Sequence, residues 1–280
     1  MPAVENEVPT ERLGRDRLRV ASWNLHEGIP VSGGILVPGG ADHRSREVAA
    51  EIGGLLADRR VDVAAFQEVG FDAEGTSEVL EHIRNTTRLR HIVTYPLHES
   101  SFFPDRLSGV AVASRFPLRD PRRHMLPNPE LRTRFDGKEI RSHDKGLVSA
   151  TLSPDGVDGV DGVDVEVTSL HSFPFYLFGR EPGETEFKEI WDELSDELRR
   201  HLHHHPLVVC GDFNTPERGL LLSEDRLPLA SSIAGRVTYK DRSVDDILYG
   251  PGIGLAGTEI VENFSDHRLC LADFLLRSRG

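Results

Sequence analysis

With 280 residues, 38% of them hydrophobic and 28% charged, the chain can bury a sizeable core and is too ordinary in composition to be fibrous or disordered. No run approaches the length of an apolar membrane span. A formal charge of −13 disfavours a protein that coats nucleic acid or an anionic membrane over a wide basic surface, but allows an enzyme that holds one phosphate through a metal and a few local cations.

Residues 1–17 are polar, carry no apolar signal-like stretch and are expected to be a flexible lead-in; a cytoplasmic location follows as the expectation. Leu18 to Asn24 reads as the first strand. A Gly/Pro-rich loop, Gly28 to Gly40, precedes Ser45, which reads as an N-cap, and Val48, Ile52, Leu55 and Leu56 follow at helical spacing. Val61 to Glu68 is a second strand, and residues 76–85 fit a short helix. RHIVTY, LSGVAVAS and KGLVSATL, within residues 90–152, read as successive strands. Asp155 to Asp164 repeats Asp-Gly-Val and reads as an acidic hairpin loop, since its spacing matches no calcium loop. Val163 to Leu170 returns as a strand. The clearest helix spans 184–203, with Phe187, Ile190, Trp191, Leu194, Leu198 and Leu202 on one face. Leu207 to Cys210, Ser243 to Tyr249 and Arg268 to Leu276 complete the strands. The mixture predicts an α/β protein with helices outside mixed sheets, and no linker divides residues 18–280, which read as a single domain. Cys210 and Cys270 lie in apolar runs and read as reduced core thiols.

Several strands end abruptly in polar residues suited to a metal or phosphate: Ser22-Trp23-Asn24, Gln67-Glu68 and Gly211-Asp212-Phe213-Asn214, with Ser265-Asp266-His267 just ahead of another. His171 ends a further strand, and Asp245 lies in SVDDILY. One such end is often only a turn, because Asn and Asp bond their own backbone. Their recurrence points to a ligand site at the strand ends of an open sheet.

The ordered stretches ASWNLHEG, DVAAFQEV, GVAVASRFPL, SLH, VVCGDFNTP, SVDDILY and FSDHRLCLADF run from residue 20 to 276. Together they resemble the endonuclease/exonuclease/phosphatase superfamily, which includes DNase I-like nucleases, inositol phosphatases and neutral sphingomyelinases. The resemblance implies a four-layer sandwich, two packed mixed β-sheets flanked by helices. It also implies that Glu68 is the main ligand of Mg²⁺ or Mn²⁺, with Asn24 and Asp266 beside it. Asp212 would orient or deprotonate the attacking water, and Asn214 would donate to a phosphate oxygen. His267, held by Asp245, would sit against the phosphate, and His171 would assist from the other side. In-line displacement at phosphorus builds charge on the oxygens, which a metal and an imidazolium stabilise.

Position 26 is histidine where several members carry an acid, so His26 is read as a substrate contact, as is Arg115 of SRFP, for which a structural ion pair is equally in keeping. The Asn-x-Tyr-x-Pro-Asn segment of the abasic-site branch is absent, which argues against that repair activity. His201, His203, His204 and His205 read as a solvated helix end before Pro206, favoured by the helix dipole. Phe173, Phe175, Tyr176 and Phe178 either pack as core or offer an apolar face to a base or lipid chain. The expected activity is a metal-dependent phosphoesterase acting on a phosphodiester or phosphomonoester. A small-molecule or lipid-headgroup substrate fits the charge better than a strand of nucleic acid. The alternative is a DNase I-like nuclease using Arg115, Arg119, Arg122 and Arg123 as a basic path, and the rival class is a non-catalytic binding protein on the same fold. No obligate protein partner is indicated.

Overall fold

Near-continuous apolar runs form strands buried on both faces, which requires layers on either side of each sheet. The computed structural model describes residues 17–32, 35–36, 41–154, 163–222, 227–233 and 235–276, so the lead-in up to residue 16 and most of the Asp-Gly-Val repeat lie outside the described residues. In chain order the elements are β1 (Arg17–Asn24), β2 (Val31–Ser32), β3 (Ile35–Leu36), α1 (Ala41–Asp58), β4 (Val63–Phe71), α2 (Glu78–Thr86), β5 (His91–Glu99), β6 (Leu107–Ser114), β7 (Leu118–Met125), β8 (Arg132–Phe135), β9 (Lys138–Arg141) and β10 (Gly146–Leu152). They continue with β11 (Val165–His171), α3 (Lys188–Leu202), β12 (Leu207–Asp212), β13 (Ala230–Ser231), β14 (Asp245–Tyr249), β15 (Ile253–Val261) and β16 (Leu269–Leu276).

Two six-stranded mixed sheets carry the fold, in the orders β15-β16-β1-β4-β6-β5 and β13-β14-β12-β11-β10-β7. Within them β1 runs parallel to β4, and β11 parallel to β12. The period of two along each strand divides the side chains among three cores. Val20, Val63, Val112, Val148, Val167, Val208 and Ile247 fill the space between the sheets. On the outer face of the first sheet Trp23 and Phe66 pack against Ile52 and Leu56 of α1 and Leu80 and Ile83 of α2. On the outer face of the second, Leu170, Val209 and Leu248 meet Trp191, Leu194 and Leu198 of α3. Each such buried side chain contributes roughly 1.5–3 kcal/mol. The four-layer sandwich expected from the sequence is the observed architecture.

Local departures have physical reasons. Ser45 lies inside α1, which starts at Ala41, so it is not the N-cap. The long helix begins with a 3-10 turn at Thr185–Phe187 and becomes α-helical at Lys188. Strands β7 and β15 were not expected: both are edge strands, β7 polar and mostly exposed, and β15 interrupted by two glycines and largely half-buried. His201 is fully buried, not solvated. It lies three residues beyond Leu198 and so continues the apolar stripe, where its Nε2 is 3.0 Å from Glu197 Oε1 and its Nδ1 3.5 Å from Glu166 Oε1. His203 and His204 are exposed as expected. Cys210 and Cys270 are free and buried.

Candidate active site

The strand register brings the polar strand ends together. Asn24 is the partner of Gln67 across the parallel pair β1–β4, and His171 the partner of Asp212 across β11–β12. Asp212 also faces Asp245 of β14, and His171 faces Gly146 of β10, so residues from four neighbouring strands form one row. Buried hydrogen bonds tie the sheets together beneath this row. Gln67 Nε2 donates to Ser169 Oγ at 3.0 Å, Ser169 Oγ donates to the Phe66 carbonyl at 2.8 Å, and Asn24 Nδ2 donates to Asp212 Oδ2 at 3.1 Å.

Backbone strain gathers at the same place. Among the described residues ten non-glycine residues have positive φ, and His26, Glu27, Glu68 and Asn214 are four of them. Each costs about 1–3 kcal/mol and persists only where its surroundings enforce it. At Glu68 (φ 47°) the β4–β6 register shifts between Phe66 and Val69, a bulge inside β4, which runs on to Phe71 past the strand end expected at Glu68, and it re-aims the carboxylate. At Asn214 (φ 54°) the backbone N–H donates to Asp212 Oδ1 at 2.8 Å, and Nδ2 donates to the Ser172 carbonyl at 2.9 Å.

His267 Nδ1 lies 2.9 Å from Asp245 Oδ2, and its Nε2 is 3.8 Å from Asp212 Oδ2. Burial alone would push this imidazole down, but Asp245 and Asp212 together outweigh it and raise its pKa to about 10. Burial raises the Asp212 carboxyl to about 7, against the pull of His267 and with the help of Asp245. Asp246, the other aspartate of the pair, turns away to Arg218 Nε (3.0 Å) and Ser231 Oγ (2.7 Å), which fixes Asp245 as the partner of His267.

On the opposite side His171 Nε2 is 3.6 Å from Asp212 Oδ2 and 3.7 Å from Glu68 Oε1. Lys145, which sequence reading passed over, is buried with Nζ 3.1 Å from His171 Nε2. Burial, then Lys145, holds His171 well below the usual histidine range, so this ring is neutral. Burial also lowers Lys145, while Glu68, Asp212 and Glu27 pull it back up. Glu27, likewise unforeseen, accepts a hydrogen bond from Ser100 Oγ and is raised to about 7 by burial. Beyond Lys145 the rings of His98 and His143 stack at 4.5 Å, with His98 lowered to about 3 by burial and then by Lys145. The sequence signals were slight: a lysine just before an apolar strand, and an acid three residues past Asn24.

The remaining expected residues divide. Asp266 follows Ser265, whose Oγ donates to the Asn24 carbonyl at 2.9 Å, so it borders the site. His26 donates its backbone N–H to Asn24 Oδ1 at 3.0 Å, and its ring meets Phe102 edge-on at 4.9 Å on the rim. Arg115 does not reach the site. Its Nε pairs with Asp62 Oδ1 at 2.6 Å, at the end of β4 remote from Glu68, and it is a structural ion pair. Arg119 and Arg122 pair with Asp164 and Glu166, and Arg123 donates to the Thr94 carbonyl, so the expected basic path is internally engaged. Phe173 and Phe175 are core, and Tyr176 is half-buried.

Among the described residues no hydrogen-bond donor meets the Glu68 carboxylate, whose side chain is 25% exposed and whose Oε1 is 3.7 Å from His171 Nε2; carboxylate and amide oxygens are the donor type that Mg²⁺ and Mn²⁺ prefer. Asp212, Asp245 and His267 also bring three ligand atoms within 4.8 Å of one another, but the His267–Asp245 contact occupies two of them and defines a hydrogen-bonded pair.

Two six-stranded mixed sheets with this row at their shared end define a DNase I-like fold. Residues 21–267 match the endonuclease/exonuclease/phosphatase family, and the chain belongs to it. Similar solved structures include an endonuclease/exonuclease/phosphatase from Beutenbergia cavernae (22% identity, TM-score 0.65, covering 94% of this chain and 72% of that one). The human Nocturnin catalytic domain with bound sulfate is another (18%, 0.64, covering 94% and 95%), as is a mannosyl-6-phosphatase from Bacteroides thetaiotaomicron (13%, 0.56, covering 92% and 100%). At these identities the likeness is one of fold. No protein of curated function matches the chain by sequence. Among the described residues no helix is long and apolar enough to cross a membrane.

Proposed function

We propose that this chain is a divalent-metal-dependent phosphoesterase that hydrolyses a small-molecule or lipid-headgroup phosphoester by in-line attack of water. The observation that carries the reading is the buried array in which a charged His267 stands between Asp245 and Asp212, whose carboxyl is raised to about 7 by burial. Asp212 accepts the proton of the attacking water, its carboxyl poised near the working pH by burial. The His267 imidazolium, aimed by Asp245, stabilises charge on the phosphate oxygens. Asn214 keeps one amide hydrogen free of the Ser172 carbonyl for a phosphate oxygen. As the bond to the leaving oxygen breaks, His171 and the Lys145 amino group beside it meet the charge on that side. Glu68, Asn24 and Asp266 would hold Mg²⁺ or Mn²⁺, which supplies Lewis-acid stabilisation of the phosphate oxygens when bound.

The engagement of Arg115, Arg119, Arg122 and Arg123 within the fold favours a compact substrate over a nucleic-acid strand. A mannosyl-6-phosphatase on the same fold is in keeping with that choice. Hydrolysis of a chromogenic phosphodiester and a phosphomonoester, with and without Mg²⁺ or Mn²⁺, tests the reading. Turnover that needs the metal and disappears in Asp212→Ala/His267→Ala supports it. A Glu68→Gln variant with unchanged metal titration would remove that residue from the metal site.

A further inference from the structure

A tight turn stands directly beside His267. Thr238 and Tyr239 donate their backbone N–H groups to the Arg242 carbonyl at 2.9 and 3.0 Å, and Arg242 donates back to the Tyr239 carbonyl at 2.7 Å. The turn is fastened to the His267–Asp245 pair from both sides. Thr238 Oγ1 accepts from the Asp245 backbone N–H at 3.0 Å, and Tyr239 bridges to His267, its ring 4.5 Å from the imidazole. At the tip Lys240 holds a left-handed φ of 47°, a strained conformation for a residue with a side chain.

The tip carries two exposed cations on an aromatic base. Lys240 Nζ lies 4.8 Å from the Tyr239 ring, and the Arg242 guanidinium lies 4.4 Å from the ring of Tyr176 on the loop that follows His171. Among the described residues neither cation has a carboxylate ion-pair partner, whereas nearby Arg218 pairs with Asp246 at 3.0 Å and Arg268 with Glu262 at 2.6 Å. Asp266 lies close enough to help raise the Lys240 ammonium, after its hydrogen bond to Tyr239, so the lysine is charged. In a chain of net charge −13, two exposed cations without an ion-pair partner among the described residues stand on this strained turn, one ring away from His267, and bring positive charge to the site's rim even with Asp241 and Asp266 nearby.

We propose that Lys240 and Arg242 form a second anion subsite, so that the substrate is a small phosphoester carrying a further phosphate beside the scissile one. The subsite rests on the phosphoesterase reading for what occupies the neighbouring position, but its binding can be measured without turnover. Calorimetric titration in Mg²⁺ of thymidine 5′-monophosphate and thymidine 3′,5′-bisphosphate should show the bisphosphate bound roughly ten- to a hundredfold more tightly, the size expected of one or two charge-assisted contacts. In Lys240→Ala/Arg242→Ala that ratio should fall to near one; both side chains are exposed, so the core is untouched. A parent protein without the preference, or a double variant that keeps it, overturns the subsite. A single-stranded oligonucleotide bound more tightly than the bisphosphate, with the advantage lost in the variant, overturns the small-molecule assignment. Turnover of bis(p-nitrophenyl) phosphate by the parent tests the catalytic reading separately: its absence alongside an intact bisphosphate preference sinks the catalytic reading alone and leaves the subsite standing.

Discussion

His267, two residues ahead of β16, and Asp245, the first residue of β14, meet with Nδ1 and Oδ2 2.9 Å apart, both side chains almost fully buried. The Asp245 carboxylate, with Asp212 second, keeps a charge on an imidazole that burial would otherwise neutralise. Asp245→Asn removes it, so His267 should lose its proton at a much lower pH. In the parent, activity that needs the imidazolium persists as pH rises until His267 titrates near 10. In the variant that loss should move toward neutrality, and kcat/KM in mildly alkaline buffer should fall by about 10²-fold or more. A pH–rate profile whose alkaline limb stays in place would remove Asp245 from this role.

Asp212 makes an opposite demand on stability. Its folded-state pKa is raised from 3.8 to about 7, so the folded protein binds this proton more tightly than the unfolded chain. Stability from this group is therefore present below about 3.8 and is lost as pH rises through about 7. Asp212→Asn should abolish turnover and raise Tm, with a larger gain at pH ~8 than at pH ~4. Thermal melts at the two pH values decide the matter, and equal shifts at both would contradict the assignment.

The sequence showed the fold wherever a strand was buried on both faces, because an apolar run such as that in β6 or β12 leaves few alternatives. Edge strands β7 and β15 were illegible for the converse reason, β7 being polar and mostly exposed and β15 broken by glycines and only half-buried. At the site, Asn24, Glu68, Asp212, Asp245 and His267 were legible because each is a polar residue set in or just beside an apolar strand pattern. Lys145 was not. A lone lysine before a strand looks like any surface cation, and only the register of Gly146 against His171 shows that it lies beneath the cleft. His201 hid in the same way, since a histidine at the end of a stripe reads as solvated until Glu166 of a distant strand is seen behind it.

Arg115 offers a control. Its guanidinium pairs with Asp62 at 2.6 Å and lies over the Phe116 ring at 4.2 Å, well away from the catalytic row. Arg115→Ala should leave kcat and KM within about twofold of the parent while lowering stability by about 1 kcal/mol, since the pair is only partly buried and Arg88 still reaches Asp62. Parallel melts and steady-state kinetics check both halves. A KM raised tenfold in fully folded protein would return Arg115 to the substrate site.

Gly211 links packing to chemistry most directly. It precedes Asp212 on β12 and faces Leu170, so the next pair along the ladder is Asp212 with His171. A methyl group at position 211 would lie 2.6 Å from the Leu170 carbonyl oxygen, a backbone atom that cannot swing aside. Gly211→Ala must then push β12 away from β11 at the point where the carboxylate and the imidazole are set. Overpacking of this kind costs roughly 1–3 kcal/mol, which a domain of this size can survive. The displacement falls on Asp212, so activity should drop by about 10²-fold even at temperatures where the variant is fully folded, as expected for a misplacement on the order of 1 Å. Kinetics well below the variant's own Tm separate the two effects. Activity that falls only in step with the unfolded fraction would mean that the β11–β12 spacing stabilises the fold without positioning Asp212.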